Sequence, residues 1–349
     1  MNKKTLFRLT AAVLAAVLLM SLTACGNNGG GDASSTPDAP NEAPVTTGKP
    51  IQNGLNVLTG KNDMTTANNR PIGYVISDED SRHIQLNIED ADFYFESETE
   101  AGIPRMLAVF SSVDRVPDEI GPVRSARPHF AKFASSLDAI YCHIGGSSSG
   151  LAAIKKYGID DVYNASVINE TLKNSQNFSW NRKTFTKTKV LNEINQHGHD
   201  LTTDYAGPYQ FGTVDGTNPA TTVDVKISAN YRMAFTYDAA RGVYQKHRNA
   251  LSTPIHTAYT GGTIEASNVI VMFDNRFTDP QDAKRVDFTL QSGSGIIATA
   301  GKSRDIRWKF TDDGLKYYEA DGTTPLTVAV GKTFVCLTSD TYKSQTTVK

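Results

Sequence analysis

Between Glu96 and Arg127 the chain gathers charged residues whose types suit the capture of an anion. Glu96 and Glu100 flank a turn before Ile103-Pro104-Arg105. Arg124 and Arg127 stand three apart, just ahead of an expected helix whose free N–H groups favour negative charge. Two arrangements fit these residues. In one the arginines hold a phosphate, carboxylate or sulfate; in the other Glu96 or Glu100 pairs with them in an internal salt-bridge network. His143 and Ser147 follow at the end of the next strand-like run. The candidate binding set is therefore Arg105, Arg124, Arg127, Glu96, Glu100, His143 and Ser147, with the glutamates orienting the arginines.

Other motifs carry less. Gly146-Ser147-Ser148-Ser149-Gly150 spells G-x-S-x-G between a strand and a helix, the setting of a nucleophile elbow with Ser148 at its tip. A tight turn with a Ser N-cap meets the same pattern, and the second half offers only His247 and His256 as late histidines. Gly301-Lys302-Ser303 lacks the Gly that a P-loop needs five residues earlier, where Ile296 stands. His197-Gly198-His199 has no third ligand nearby and reads as a helix end. Asp78-Glu79-Asp80 lacks the spacing of a calcium loop and reads as a solvated turn. No metal or cofactor is expected.

The elements that must position these residues fall into two textures. From about Leu55 to Gly207, strands are expected at Pro71 to Ser77, Asp92 to Glu96, Arg105 to Ser111 and Asp138 to Ile144. Helices are expected at His129 to Leu137, Ser148 to Tyr157 and Lys187 to Gln196. A turn-rich stretch from Tyr205 to Ala220 reads as a boundary. Beyond it lie strand-like runs at Thr221 to Ile227, Arg232 to Tyr237, Asn268 to Phe273, Val286 to Leu290, Ile296 to Ala300, Ile306 to Phe310 and Lys332 to Leu337. Ile306-Arg307-Trp308-Lys309-Phe310 alternates as a half-buried antiparallel strand does. The expected fold is α+β, a layered sandwich with an α/β-textured domain over 55–207 and a mostly antiparallel β domain over 220–345.

The N-terminus is a targeting segment. Lys3, Lys4 and Arg8 precede an apolar run from Ala11 to Leu22, too short at about 18 Å to cross a bilayer core of roughly 30 Å. Leu22-Thr23-Ala24-Cys25-Gly26 resembles a bacterial lipobox, which makes residues 1–25 a lipoprotein signal segment, cleaved just before Cys25, the acylated anchor. Removing that peptide takes away three cations and no anion, shifting the formal charge from −2 to −5. Residues 26–54 are Asn, Gly, Ser, Thr, Pro and Ala-rich and read as a flexible tether reaching about 30 Å. A chain of this charge has no field to hold nucleic acid. Cys142 and Cys336 each sit in an apolar run and read as buried free thiols rather than a disulfide framework.

The same charged segment carries a family resemblance. Asn56-Val57-Leu58-Thr59-Gly60, Arg70-Pro71-Ile72, Glu100-Ala101-Gly102-Ile103-Pro104-Arg105, Ile120-Gly121-Pro122-Val123-Arg124-Ser125-Ala126-Arg127 and His143-Ile144-Gly145-Gly146-Ser147 resemble the ordered signature of the YerB-like bacterial lipoproteins. Ala266-Ser267-Asn268-Val269-Ile270-Val271, Gly293-Ser294-Gly295, Trp308-Lys309 and Gly331-Lys332-Thr333 continue it. The resemblance implies an exported lipoprotein of two associated domains with no established activity. This chain departs from the pattern at Ser149-Gly150, Arg182-Lys183, Thr186-Lys187-Thr188 and Ile255-His256-Thr257, which puts any site built there in doubt.

The reading that joins these features is a lipid-anchored binding module on the extracytoplasmic face, whose partners are the membrane through Cys25 and an anionic envelope ligand. The alternatives are an envelope hydrolase acting through Glu96 and Glu100 or Ser148, and a scaffold that recruits envelope proteins through exposed strand edges.

Overall fold

The computed structural model describes residues 54–79, 85–169 and 182–349, all within one compact unit. Cys25, the signal segment and nearly all of the tether lie outside the described residues, as does Asp80. The elements that matter for the site are, in chain order, β1 (Ile72–Ser77), β2 (Phe93–Glu98), β3 (Pro104–Phe110), α1 (Pro128–Ser136), β4 (Ile140–Cys142), α2 (Ser148–Tyr157), β5 (Asp161–Val162) and α3 (Lys187–His197). There follow β6 (Thr222–Lys226), β7 (Arg232–Asp238), β8 (Val243–Lys246), β9 (Glu265–Ala266), β10 (Asn268–Asp274), β11 (Arg276–Thr278) and β12 (Val286–Phe288). Last come β13 (Ser292–Thr299), β14 (Lys302–Thr311), β15 (Gly314–Glu319), β16 (Thr333–Ser339) and β17 (Thr347–Val348). The described residues are mostly β, 41% strand and 16% helix.

Strands from both halves of the sequence enter one 11-stranded sheet, in the order β14-β13-β10-β16-β2-β3-β1-β4-β5, with Asn218–Pro219 and β15 both against β14. The seam is the parallel pair β2–β16, Phe93 opposite Thr333 through Ser97 opposite Leu337. A sheet covered on both faces needs strands apolar on both sides, and β1, β3, β10 and β16 are buried at every residue.

On one face α1 and α2 pack Phe130, Phe133, Ala134 and Ile154 against Val75, Phe93, Phe95, Leu107 and Val109. The Phe95 and Phe133 rings stack with centroids 3.9 Å apart. On the other face lie α3, through Val190 and Ile194, and a five-stranded sheet in the order β9-β8-β7-β6-β17. Phe235 of β7 meets Phe334 of β16 edge-on at 5.0 Å. Each buried aromatic contributes about 2–3 kcal/mol of hydrophobic stabilisation, so these two layers hold the ends of the central strands in a packed frame.

The directions of the strands decide where charge collects. β1 runs parallel to β4, β4 to β5, β2 to β16 and β10 to β16, while β3 runs antiparallel to both β1 and β2. The carboxyl ends of β1, β2, β4, β10 and β16 therefore share one rim, and β3 enters the sheet there.

Candidate functional site

That rim carries Asp78 after β1, Glu96 and Glu98 at the end of β2, Arg105 at the start of β3, His143 after β4 and Asp274 at the end of β10, all buried. The 121–127 segment crosses it: Arg124 N donates to Val75 O at 2.7 Å, Ile144 N to Arg124 O at 3.0 Å and Ala126 N to Gly145 O at 3.0 Å. Gly150 lets α2 press on this segment, since a Cβ there would lie 2.6 Å from Ala126 O. In open sheets ligands bind outside the carboxyl ends of strands. The seven candidate residues all lie on this rim, but the structure divides them among five separate contacts.

Glu100 joins Arg105 and Arg127. Arg127 Nε and Nη2 donate to its two carboxylate oxygens at 2.8 and 2.5 Å, and Arg105 Nη2 donates at 2.5 Å. The arginines also donate to backbone oxygens, Arg105 to Ser125 O at 2.9 Å and Arg127 to Ala126 O at 2.7 Å. Burial opposes ionisation of Glu100, but hydrogen bonding from Arg127 and the charges of both arginines outweigh it and hold the carboxyl at about 2. Burial, with the like charge of Arg127, lowers Arg105 to about 10. This is the salt-bridge network of the two arrangements the sequence allowed, and it clamps the turn after β2 to the start of α1.

A carboxylate depressed in this way stabilises the fold above its unfolded value near 4.5, and that stability is lost as pH falls toward 2. Replacing Glu100 by Gln should therefore remove on the order of 2 kcal/mol at neutral pH and much less at pH 3, measured as the difference between urea midpoints at the two pH values. An equal loss at both would show that the ionised carboxylate contributes nothing.

Arg124 faces Glu79 at 3.0 Å instead of Glu100. His143 Nδ1 meets Gly145 O at 2.6 Å and Nε2 meets Asp161 Oδ2 at 3.0 Å, which ties β4 to β5. Ser147 is the N-cap of α2, its Oγ accepting from Gly150 N at 2.9 Å. Ser148, the elbow candidate, is exposed and has no hydrogen bond to a His or carboxylate among the described residues. Ser149 instead bonds Asp279.

Glu96 does not orient the arginines. Glu96 and Arg105 project from opposite faces of the sheet, because Glu96 pairs with Met106 and side chains alternate along a strand. On its own face Glu96 meets Lys246 Nζ at 3.3 Å, and that ammonium also meets Asp78 Oδ2 at 3.0 Å and His256 Nδ1 at 3.4 Å. Gln85 donates to Asp78 at 3.1 Å and faces His256 Nε2 at 2.8 Å. Burial pushes the Glu96 carboxyl well above the usual range, with Lys246 pulling it down and Asp78 raising it. Burial, then the charges of Lys246 and Arg248, hold His256 neutral. Asp78 is thus a buried partner of Lys246 and not part of a solvated turn. The cluster bolts β1 and β2 to β8, and no sequence motif marks it; the parity of Glu96 with Tyr94 is the signal that it leaves the arginine face.

One open space beside the rim is a cleft of about 490 Å³ between α1, α2 and the β11–β12 hairpin. His129, Lys132, Ser149, Lys156, Tyr157, Phe277, Asp279, Gln281, Asp287 and Gln291 are among its lining residues. His129 Nδ1 faces Asp287 Oδ1 at 3.2 Å and its Nε2 faces Glu98 O at 3.1 Å, so both ring nitrogens are engaged. The volume is that of a small-ligand site, mixed in lining and built on rigid helices. Sequence reasoning missed it because its walls are more than 100 residues apart in the chain, as the His129–Asp287 contact shows.

Two stretches of this layered, mostly β chain match one family defined by sequence. Residues 58–200 match the family described as "Protein of unknown function (DUF3048) N-terminal domain", and residues 223–335 match its C-terminal domain. The chain belongs to this family. It is 25% identical over 261 residues to the "Putative lipoprotein YerB" of Bacillus subtilis (strain 168), a match that covers 72% of this chain and 77% of that protein. The crystal structure of YerB from Bacillus subtilis superposes with a TM-score of 0.72 at 22% identity, covering 84% of this chain and 98% of that one, a likeness of fold. Among the described residues no helix is long and apolar enough to cross a membrane. Cys142 and Cys336 are buried free thiols, as the sequence led us to expect.

Proposed function

We propose that the chain is a lipid-anchored binding module on the extracytoplasmic face of the membrane, and that an anionic envelope ligand enters the cleft between α1, α2 and the β11–β12 hairpin. The observation that carries this reading is the cleft itself, open at the carboxyl-end rim and lined by polar groups on two helices. The lipobox at Leu22 to Cys25 and the tether supply the anchor. The arginines support the site from behind: Arg127, bound to Glu100, holds the residue before α1 in place, and Pro128 and His129 next to it line the cleft. A two-domain α+β assembly, one domain from each family match, fits the same reading.

The test is a thermal-shift screen of the full chain in detergent against fragments of digested cell envelope. A ligand at 100 times its Kd adds about 2.7 kcal/mol, a readable rise in Tm. Ala152→Trp, which fills the cleft from an exposed position on α2, should abolish that rise. A rise that survives the substitution would place the ligand elsewhere.

A further inference from the structure

The charges lining the cleft are unequally engaged. Its two carboxylates have partners: Asp279 accepts from Ser149 and from Gln281 N at 2.8 Å, and Asp287 Oδ1 faces His129 and accepts from Phe288 N at 2.9 Å. Its two lysines form no ion pair among the described residues. Lys132 Nζ donates to Thr289 O at 3.1 Å and to Leu290 O, and lies 4.6 Å from the centre of the Phe310 ring. Lys156 Nζ lies over Tyr157 at 5.3 Å. The two ammonium groups feel each other. Burial lowers Lys132, the charges of Asp274 and of the cleft's own Asp287 partly restore it, and the like charge of Lys156 lowers it further. An anion between them relieves that repulsion, and the half-buried position of Lys132 strengthens the attraction.

The rest of the lining has a different chemistry. Tyr157 is 36% exposed and Phe277 is half-buried, so both offer ring faces. Gln281 and Gln291 are exposed, and each amide supplies two donors and an acceptor. Ring faces beside amides suit a sugar, which presents C–H bonds on one face and hydroxyls at its edge.

We propose that the cleft takes a saccharide carrying an anionic substituent, a carboxylate or a phosphate, with the anion between Lys132 and Lys156 and a sugar ring against Tyr157. This rests on the cleft being the ligand site, and it names the ligand chemistry for that site. The anion contacts set selectivity and the aromatic face sets the shared affinity for sugars.

The experiment is calorimetric titration of the full chain in detergent with three probes: neutral chitotetraose, a disaccharide containing the muramic carboxylate, and a sugar-phosphate repeat. At least one anionic probe should bind ten-fold or more tightly than chitotetraose, and the preferred one identifies the substituent. Lys156→Gln, an exposed change on α2, should erase most of that preference and bring the anionic probes toward the affinity of chitotetraose; Tyr157→Ala should weaken all three. Equal binding of neutral and anionic probes, unaffected by Lys156→Gln, would overturn the proposal and leave the cleft as a site for uncharged sugar. Binding of none of the three, with an envelope-fragment Tm rise still abolished by Ala152→Trp, would also overturn it and give the cleft to a non-saccharide ligand.

Discussion

Replacing Lys246 by Met should destabilise the protein by about 3–5 kcal/mol, enough to unfold much of it near 37 °C. The ammonium is fully buried and is shared by Asp78 at 3.0 Å and Glu96 at 3.3 Å. Removing it leaves Asp78, buried, with an amide donated by Gln85 at 3.1 Å and the neutral His256 ring 3.6 Å away, neither of which balances its charge. Glu96, already pushed toward its protonated form by burial, loses less. The cost therefore falls mainly on one orphaned carboxylate, so Asp78→Asn together with Lys246→Met should recover most of it. Urea unfolding of the two variants checks this. A Lys246→Met protein as stable as the parent would mean that the cluster does not bolt the small sheet to the large one.

Arg127→Ala should cost about 2–4 kcal/mol. It removes three charge-assisted hydrogen bonds, two to Glu100 and one to Ala126 O, and leaves Glu100 with Arg105 alone. Arg124→Ala, at a more open pair with Glu79, should cost about 1 kcal/mol or less. The two changes thus separate a frame residue from a peripheral one, by thermal unfolding and envelope-fragment binding of each variant. An Arg127→Ala protein that keeps full stability and loses all binding would return that arginine to the ligand.

Much of the local structure is legible in the residues. Ser148 to Tyr157 ends before Gly158 and begins with a Ser cap, and the helix has those bounds. The alternation of Ile306 to Phe310 gives a strand with Trp308 inward and Arg307 and Lys309 outward. Val243–Lys246 and Gly314–Glu319 escaped notice because short runs with Gln, Lys and Glu carry little apolar period. The pairing of β2 with β16, some 240 residues apart, has no local signature, so strands on either side of the turn-rich boundary meet in one sheet without warning.

The candidate residues were found by type and proximity in sequence, which groups Glu96 with Glu100. The pleat separates them: four residues and a turn carry Glu96 to Lys246 and Glu100 to Arg127. Lys246 and Asp78 are 168 residues apart, and the walls of the cleft come from segments near residues 130, 150 and 280. Contacts of this separation are set by topology, which the chain order alone does not display.

The central claim is that a ligand occupies the cleft at the carboxyl-end rim. Hydrogen exchange of the full chain in detergent, with and without envelope fragments that raise its Tm, tests it most directly. A ligand in the cleft should slow exchange in α1, α2 and the β11–β12 hairpin and leave the β6–β8 sheet unchanged. Slowed exchange along the small sheet or the edge strand β15, with α2 and the hairpin untouched, would contradict it.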